Sequence, residues 1–315
     1  MRSVHIGAKN PVVCPEGNSG GVASRPFAPP ELFTGGIRTP PCYKARAAAA
    51  ARRGAMGPID FSTFVNELAT LSGQAILPFF RTALAADDKS HGGAFDPVTE
   101  ADRAGEAAMR QLIRRTFPTH GIVGEEFGTD GGDAEYVWVL DPIDGTKAFM
   151  AGLPVWGTLI GLLRLGAPVY GLMHQPFTAE RFLGDGAGAS YRGRQGERKL
   201  RVRSCAALSD ALISTTSTHM FGAAELAAYQ RVERETRIVR YGCDCYAYCM
   251  LAAGHIDLVI EAGLKPYDIV ALIPIIEGAG GIVTTWTGES AAKGGSIIAA
   301  GDRRIHEAAL ALLNR

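Results

Sequence analysis

Apolar positions recur with clear periods from about Ile59 onward. "FSTFVNELATLSGQAILPFFR" carries Phe61, Phe64, Val65, Leu68, Leu71 and Ile76 near helical spacing. "DDKSHGGAF" is polar and reads as a loop. "TEADRAGEAAMRQLIRRTF" predicts a second helix, with Thr99 as N-cap, Asp102 at the capping-box position and Pro118 as the stop. Short apolar runs predict strands at "GIVGEE" and Tyr136–Leu140. "GTLIGLLRLGAPVYGLM" is broken by Arg164, Gly166 and Pro168 and reads as two strands and a turn. "RFLGDG" is a further strand and "ASYRGRQGER" a turn-rich stretch. A strand at Ala211–Thr215, a helix at Ala223–Glu235, a strand at "RIVRY", a helix at Cys245–Ala253 and a strand at "IDLVIEA" follow. "YDIVALIPIIEGAGG" predicts one helix closed by glycines. The strands "GIVTTW" and "SIIAAG" and a helix at Arg303–Leu313 complete the pattern. There is no strict strand–helix alternation and no internal repeat, which points to an α/β (α+β) architecture of layered helices and sheets rather than a barrel.

Residues 1–55 have no such period. They are rich in Pro, Gly, Ala and Arg, and "ARAAAAARRGAM", even as a short helix, has no apolar face to bury. Two readings stand: an Arg-rich, acid-poor organelle transit peptide, or a disordered or non-native extension ahead of a working chain, 56–315, that starts at Met56. Sparse serine and the lack of an amphipathic helix favour the second. The expected location is the cytoplasm, with an organelle as the alternative if 1–55 is a transit peptide.

The 315 residues are 47% apolar and 20% charged, within the globular range. No apolar run reaches the roughly 18 residues of a membrane span. Net charge is zero but uneven. Residues 1–55 hold eight Lys/Arg against two Asp/Glu, a balance of +6, which leaves −6 for 56–315. A mildly acidic body without a basic stripe argues against nucleic-acid binding as the main task and suits a protein that gathers cations. The six cysteines, Cys14, Cys42, Cys205, Cys243, Cys245 and Cys249, form no disulfide framework, so a reducing compartment is expected. Cys243, Cys245 and Cys249 lack the second distant pair of a zinc site and read as buried small side chains. His174, His219 and His255 are scattered and read as ordinary.

The chemistry lies in acids at the ends of apolar elements: Glu125, Asp141, Asp144, Asp268 and Asp102. Any one of them alone reads as a turn former or a first-turn helix acid. "DPIDGT" is different. Pro142 fixes one φ, Gly145 permits close backbone approach, and Asp141 and Asp144 leave one rigid turn together. The amides of Gly145 and Thr146 can donate to an anion. Such a turn can hold hard cations and a phosphate side by side.

In combination, "GEE", "WVLDPIDGTKAF" and "KPYDIVALIPIIEGAGG" resemble the inositol monophosphatase superfamily of Mg2+-dependent sugar and polyol phosphatases, over about Ile59 to Arg315. The resemblance implies a layered αβαβα sugar-phosphatase-like fold and hydrolysis of a small phosphate monoester with two or three Mg2+ ions and no protein nucleophile. It implies Glu125, Asp141, the Ile143 carbonyl, Asp144 and Asp268 as metal ligands. Thr146 paired with Asp102 would orient the attacking water, Gly145 and Thr146 would hold the phosphate, and Glu261 would contact the organic part of the substrate. It also implies a homodimer.

"DPVTEADRAGEAAMRQLI" and "YGCDCYAYCMLAAGHIDLVIEAGLKPYDIVAL" look most similar to the histidinol-phosphatase branch, with Lys147-Ala148 and Tyr267 departing from the inositol branch and Cys243 from the usual glycine. Histidinol phosphate carries an amine and an imidazole, which Asp244 and Glu261 would favour. Asp244 also reads as the N-cap before Cys245. Hydrolysis of inositol-1-phosphate or of polyol phosphates broadly, and a non-catalytic Mg2+- and anion-binding role, are the alternatives.

Overall fold

A computed structural model describes residues 61–82, 87–88 and 97–315. The readings of residues 1–55 lie outside the described residues. The chain forms α1 (Phe61–Ile76), the paired segments β1 (Asp87–Asp88) and β2 (Pro97–Val98), α2 (Glu100–Thr116), β3 (Gly121–Gly124), β4 (Gly128–Asp130), β5 (Tyr136–Asp144) and α3 (Thr146–Met150). Then come β6 (Gly157–Arg164), β7 (Ala167–Gln175), β8 (Glu180–Gly184), β9 (Ala189–Gly193), β10 (Gly196–Lys199) and β11 (Leu212–Thr215). They are followed by α4 (Ala223–Glu233), β12 (Ile238–Tyr241), α5 (Asp244–Ala252) and β13 (Leu258–Leu264). The chain closes with α6 (Pro266–Ile269), α7 (Leu272–Gly278), β14 (Ile282–Thr285), β15 (Gly295–Ala300) and α8 (Arg303–Leu313).

Strands β10-β9-β8-β7-β6-β5-β3-β4 make one mixed sheet and β12-β11-β13-β15-β14 a second. Period-two alternation shows how the layers stack. On β7, His174 faces Gly73 of α1, while Gly171 abuts Ala271 and Met173 joins a core with Ile275 and Ile276 of α7. Helices therefore cover both faces of the larger sheet. On β13, Val259 joins that inner core, while Leu258 and Ile260 pack with Ile298, Tyr229 of α4 and Ile305 of α8. The order is helix pair, sheet, helices, sheet, helix pair, the layered αβαβα arrangement expected from the sequence.

Several elements differ from the sequence reading. α1 ends at Ile76 and a 3-10 turn carries Pro78. The polar stretch after it contributes Asp87–Asp88 to a short antiparallel pairing with Pro97–Val98. "ASYRGRQGER" is a hairpin, β9–β10, because β8 supplies a pairing edge and Arg192 and Glu197 bridge its strands at 2.9 Å. The helix read at "YDIVALIPIIEGAGG" is two, α6 and α7, with a break at Val270-Ala271. Pro274 has no N–H for the Val270 carbonyl and its ring clashes with it, so one continuous helix is excluded.

The buried His174 meets the Glu180 carbonyl at 2.9 Å through Nδ1. Burial pushes its pKa down to about 4. The unfolded chain takes up a proton near pH 6.5 and the folded chain only near 4, so this histidine withdraws stability as pH falls through that window and no further below it. At about 1.4 kcal/mol per unit, the withdrawal is roughly 3 kcal/mol. Chemical denaturation of His174→Gln alongside the parent between pH 7 and pH 4 is expected to show a flatter profile for the variant by about that amount. Parallel profiles would contradict the assignment.

Candidate active site

The strand read as Tyr136–Leu140 continues through the acidic motif to Asp144. Trp138, Val139 and Leu140 are fully buried and anchor it between β3 and β6. Asp141 stands opposite Leu159, and Asp144 opposite Gly157, so three steps on β5 match two on β6. This is a β-bulge of one residue. In a regular strand, residues three apart point to opposite faces. The extra residue turns Asp144 to the same side as Asp141. The bulge is pinned by the Ile143 amide on Asp141 Oδ1 at 3.0 Å and by the Thr158 hydroxyl on the Pro142 carbonyl at 2.8 Å. Ile143 is buried with Ile76, Ala101 and Trp156.

Other elements bring further acids to the bulge. Glu125 directly follows β3, which runs parallel to β5 with Gly124 opposite Leu140, and its amide donates to the Leu140 carbonyl at 3.2 Å. Its carboxyl lies close enough to Asp141 to push the Asp141 pKa up. Asp268 sits in the first turn of α6 and accepts from the Lys265 amide at 2.7 Å. Asp144 Oδ2 accepts from the Cys245 amide at 2.6 Å, at the start of α5. Carboxylate oxygens of Asp141, Asp144 and Asp268 lie within 4.8 Å of one another. Among the described residues, this is the cluster able to hold a metal ion, and no cysteine takes part in it. Cys245 and Cys249 are buried core thiols, as read from the sequence.

The cluster is electrostatically uncompensated. Burial, then Glu125, Asp144 and Asp268, hold the Asp141 carboxyl well above the carboxylate range. Burial, then Asp244 and Asp268, do the same to Asp144, against the opposing Cys245 hydrogen bond. Burial lifts Asp268 to about 7, with the Lys265 amide opposing. Like charges this close stay ionised together only with a cation among them. An all-oxygen donor set of carboxylates fits a hard divalent ion such as Mg2+.

Gly145 opens α3 in the left-handed region, φ 88°. A Cβ there would also sit 3.0 Å from the Asp244 carboxyl, so both backbone and space require glycine. The first amides of a helix have no acceptor within it, so the Gly145-Thr146 end can receive an anion. The Thr146 hydroxyl donates to the Ile143 carbonyl at 3.2 Å. Asp102 is buried on α2, where its Oδ2 accepts from the Thr99 amide at 2.8 Å and the Thr99 hydroxyl at 2.5 Å. The capping box read from the sequence is therefore present. Ala101 packs in the core with Ile143, which sets this turn beside the bulge.

A cavity of about 110 Å3 adjoins the cluster, lined by Asp144, Asp268, Asp244, Glu261, Thr216 and Tyr248 among others. Burial and Glu261 lift the Asp244 pKa to about 7, with Lys147 opposing. Asp244 is not the N-cap of α5: Cys243 holds that position at φ 85°, without a side-chain cap bond. Glu261 is buried, with Oε1 on the Thr216 amide and Oε2 on the Tyr248 hydroxyl, both at 2.9 Å. β13 bulges between Glu261 and Leu264, much as β5 does at its acids.

The sequence reading missed Thr216, Tyr248 and the buried pair Glu106–Arg110. Thr216 acts through its backbone, which carries no residue signal. Tyr248 stands four residues after Asp244, one helical turn on. Glu106 and Arg110 are charged residues on the same stripe of α2 as Met109 and Ile113, and that misplacement was the available signal.

The family model of the inositol monophosphatase family matches residues 60–315. The chain is 46% identical to the bifunctional phosphatase IMPL2, chloroplastic, of Arabidopsis thaliana over 79% of this chain and 74% of that protein. It is 37% identical to a histidinol-phosphatase of Mycobacterium tuberculosis over 69% of this chain and 85% of the other. A solved inositol monophosphatase from Zymomonas mobilis superposes with a TM-score of 0.72 at 40% identity, covering 82% of this chain and all of that one.

Because the acids repel one another without a cation, Mg2+ is expected to raise the Tm of the chain at pH 8. Asp144→Asn is expected to raise the metal-free Tm slightly and to abolish most of the Mg2+-induced rise. Thermal melts with and without Mg2+ check both, and an unchanged Mg2+ response in the variant would remove Asp144 from the metal centre.

Proposed function

The chain belongs to the inositol monophosphatase family, and from that premise we propose that it is a Mg2+-dependent histidinol-phosphate phosphatase acting in histidine biosynthesis. The observation that carries this reading is the second pair of acids, Asp244 and Glu261, facing the cavity next to the metal-capable trio. The hydroxyls of a polyol would donate to two buried carboxylates but leave their charge unneutralised. An amine and an imidazolium satisfy both. The identity to a histidinol-phosphatase over most of that protein's length supports the same assignment.

Glu125, Asp141, Asp144 and Asp268, with the Ile143 carbonyl, would hold the ions. Mg2+ held there would supply positive charge for the phosphate and the leaving oxygen and a water of lowered pKa. The amides of Gly145 and Thr146 bind the phosphate. The Thr146 hydroxyl, turned from the Ile143 carbonyl towards Asp102, orients the attacking water, and Asp102 holds Oγ1 in place. Asp244 and Glu261 seat the amine-bearing end. Tyr248 and the Thr216 amide each occupy one Glu261 oxygen and leave the remaining lone pairs for the substrate.

Hydrolysis of inositol-1-phosphate or of polyol phosphates broadly is the second reading, favoured by the 40% identity to the Zymomonas mobilis enzyme. A non-catalytic role is disfavoured because Glu125, Asp141, Asp144, Asp268 and Thr146 are all in place. We also assign the working chain to residues 56–315, with 1–55 dispensable for catalysis. The chloroplastic relative favours a transit peptide over a disordered or non-native extension for that segment, and no helix among the described residues is long and apolar enough to cross a membrane.

With Mg2+ present, kcat/KM for histidinol phosphate is expected to exceed that for inositol-1-phosphate by about 100-fold or more, on the scale of two charge-assisted contacts. Equal or reversed values would sink the assignment. Asp244→Asn is expected to raise KM for histidinol phosphate about 10-fold, as loss of one such contact does, and to change turnover of inositol-1-phosphate far less. A chain starting at Met56 is expected to match the full chain in kcat/KM, and loss of active enzyme would show that the extension contributes to the fold.

A further inference from the structure

Glu106 lies on α2, one turn beyond Asp102, and is fully buried. Its Oε1 accepts from Arg110 Nε at 2.7 Å, and Arg110 is itself buried. The same carboxylate accepts from two consecutive amides: Glu126 on Oε2 at 2.7 Å and Phe127 on Oε1 at 3.2 Å. Arg110 reaches the next residue and donates to the Gly128 carbonyl. The pair thus clasps residues 126, 127 and 128 in succession. On the other side, the Glu125 amide is tied to the Leu140 carbonyl of β5. Glu125 is held between a sheet bond before it and the Glu106 clasp after it. The fit extends to Gly124, where a Cβ would lie 2.0 Å from Glu106 Oε1.

We propose that Glu106 is a positioning residue of the metal centre: its carboxylate, oriented by Arg110, fixes the Glu125–Phe127 turn and thereby sets the affinity for the divalent cation. The inference rests on the reading of Glu125 as a metal ligand. It differs from a role in folding alone. A buried ion pair is a weak source of stability, since apolar residues of the same volume often do as well. The acceptors here are committed to the one turn that begins with Glu125. Glu106 bonds the two amides that follow Glu125 rather than the Glu125 carboxylate, so it acts on the ligand through the backbone; outer partners that orient a ligand change metal affinity by about 10–100-fold when removed.

Glu106→Gln keeps the size of the side chain but replaces one acceptor oxygen by an NH2 that faces an amide N–H. The test is calorimetric titration of the full chain with Mg2+ alone, together with the Mg2+ dependence of activity. The expected result is a Kd for Mg2+ raised about 10-fold or more, with kcat at saturating Mg2+ largely kept. Leu68→Ala, in the buried core of α1, serves as a destabilised control and is expected to lower Tm without moving the Mg2+ Kd. Glu106→Gln with the parent Kd overturns the proposal, as does an equal rise in the control. If Glu106→Gln does not fold, Gly124→Ala displaces the same carboxylate and is expected to raise the Kd in the same way; an unchanged Kd there also overturns it. A parent chain that binds no Mg2+ sinks the metal reading itself, an outcome distinct from failure of the Glu106 clasp.

Discussion

The rest of the structure is arranged around the mutual repulsion of Asp141, Asp144 and Asp268. Their oxygens are confined within a few ångströms of one another, and burial raises the pKa of each. Nothing about burying three carboxylates together favours folding. The fold supplies the opposing order locally: a backbone amide on each of the three acids, from Ile143, Cys245 and Lys265. These amides orient the oxygens but add no net positive charge. The centre is therefore shaped by the chain, and on the proposed reading a divalent cation completes it.

The acids arrive from four elements, two of them from β5, and each lies where a strand stops, bulges or a helix begins. β3 stops before Glu125, β5 bulges between Asp141 and Asp144, β13 bulges after Glu261, and α6 presents Asp268 in its first turn. Irregularities in the two sheets coincide with the site because regular strands alternate faces and cannot converge acids three residues apart. The buried cores on both sides of the sheets hold those irregularities in register. The Glu106–Arg110 pair extends the same logic outward from the centre, since it ties a helix of the outer layer to the turn carrying Glu125.

Much of the site was readable because its residues are chemically out of place. Two aspartates ending an apolar strand, beside Pro142 and Gly145, have no ordinary role as a set, and the structure does bring Asp141, Asp144 and Asp268 together. Thr99 and Asp102 carry a capping pattern that needs only local sequence, and the box is formed. The reading was weaker where partners are distant or belong to the backbone. The second half of the hairpin β9–β10 depends on β8 for its edge. The Thr216 amide has no side-chain signature. The N-cap of α5 is Cys243 rather than Asp244, in a left-handed conformation and without a side-chain cap bond, so cap propensity did not mark it.

The sequence by itself determined most of the elements and their order, and which acids and which glycine turn are chemically out of place, because periodicity and residue chemistry are local properties. The tertiary structure alone decided that one extra residue in β5 turns Asp144 beside Asp141, since a bulge exists only relative to the register of β6. It also decided that Glu261 is pinned by Tyr248, and that Glu106 grips the turn after Glu125 from twenty residues away. Those relations are distances between elements, and no local pattern along the chain encodes them.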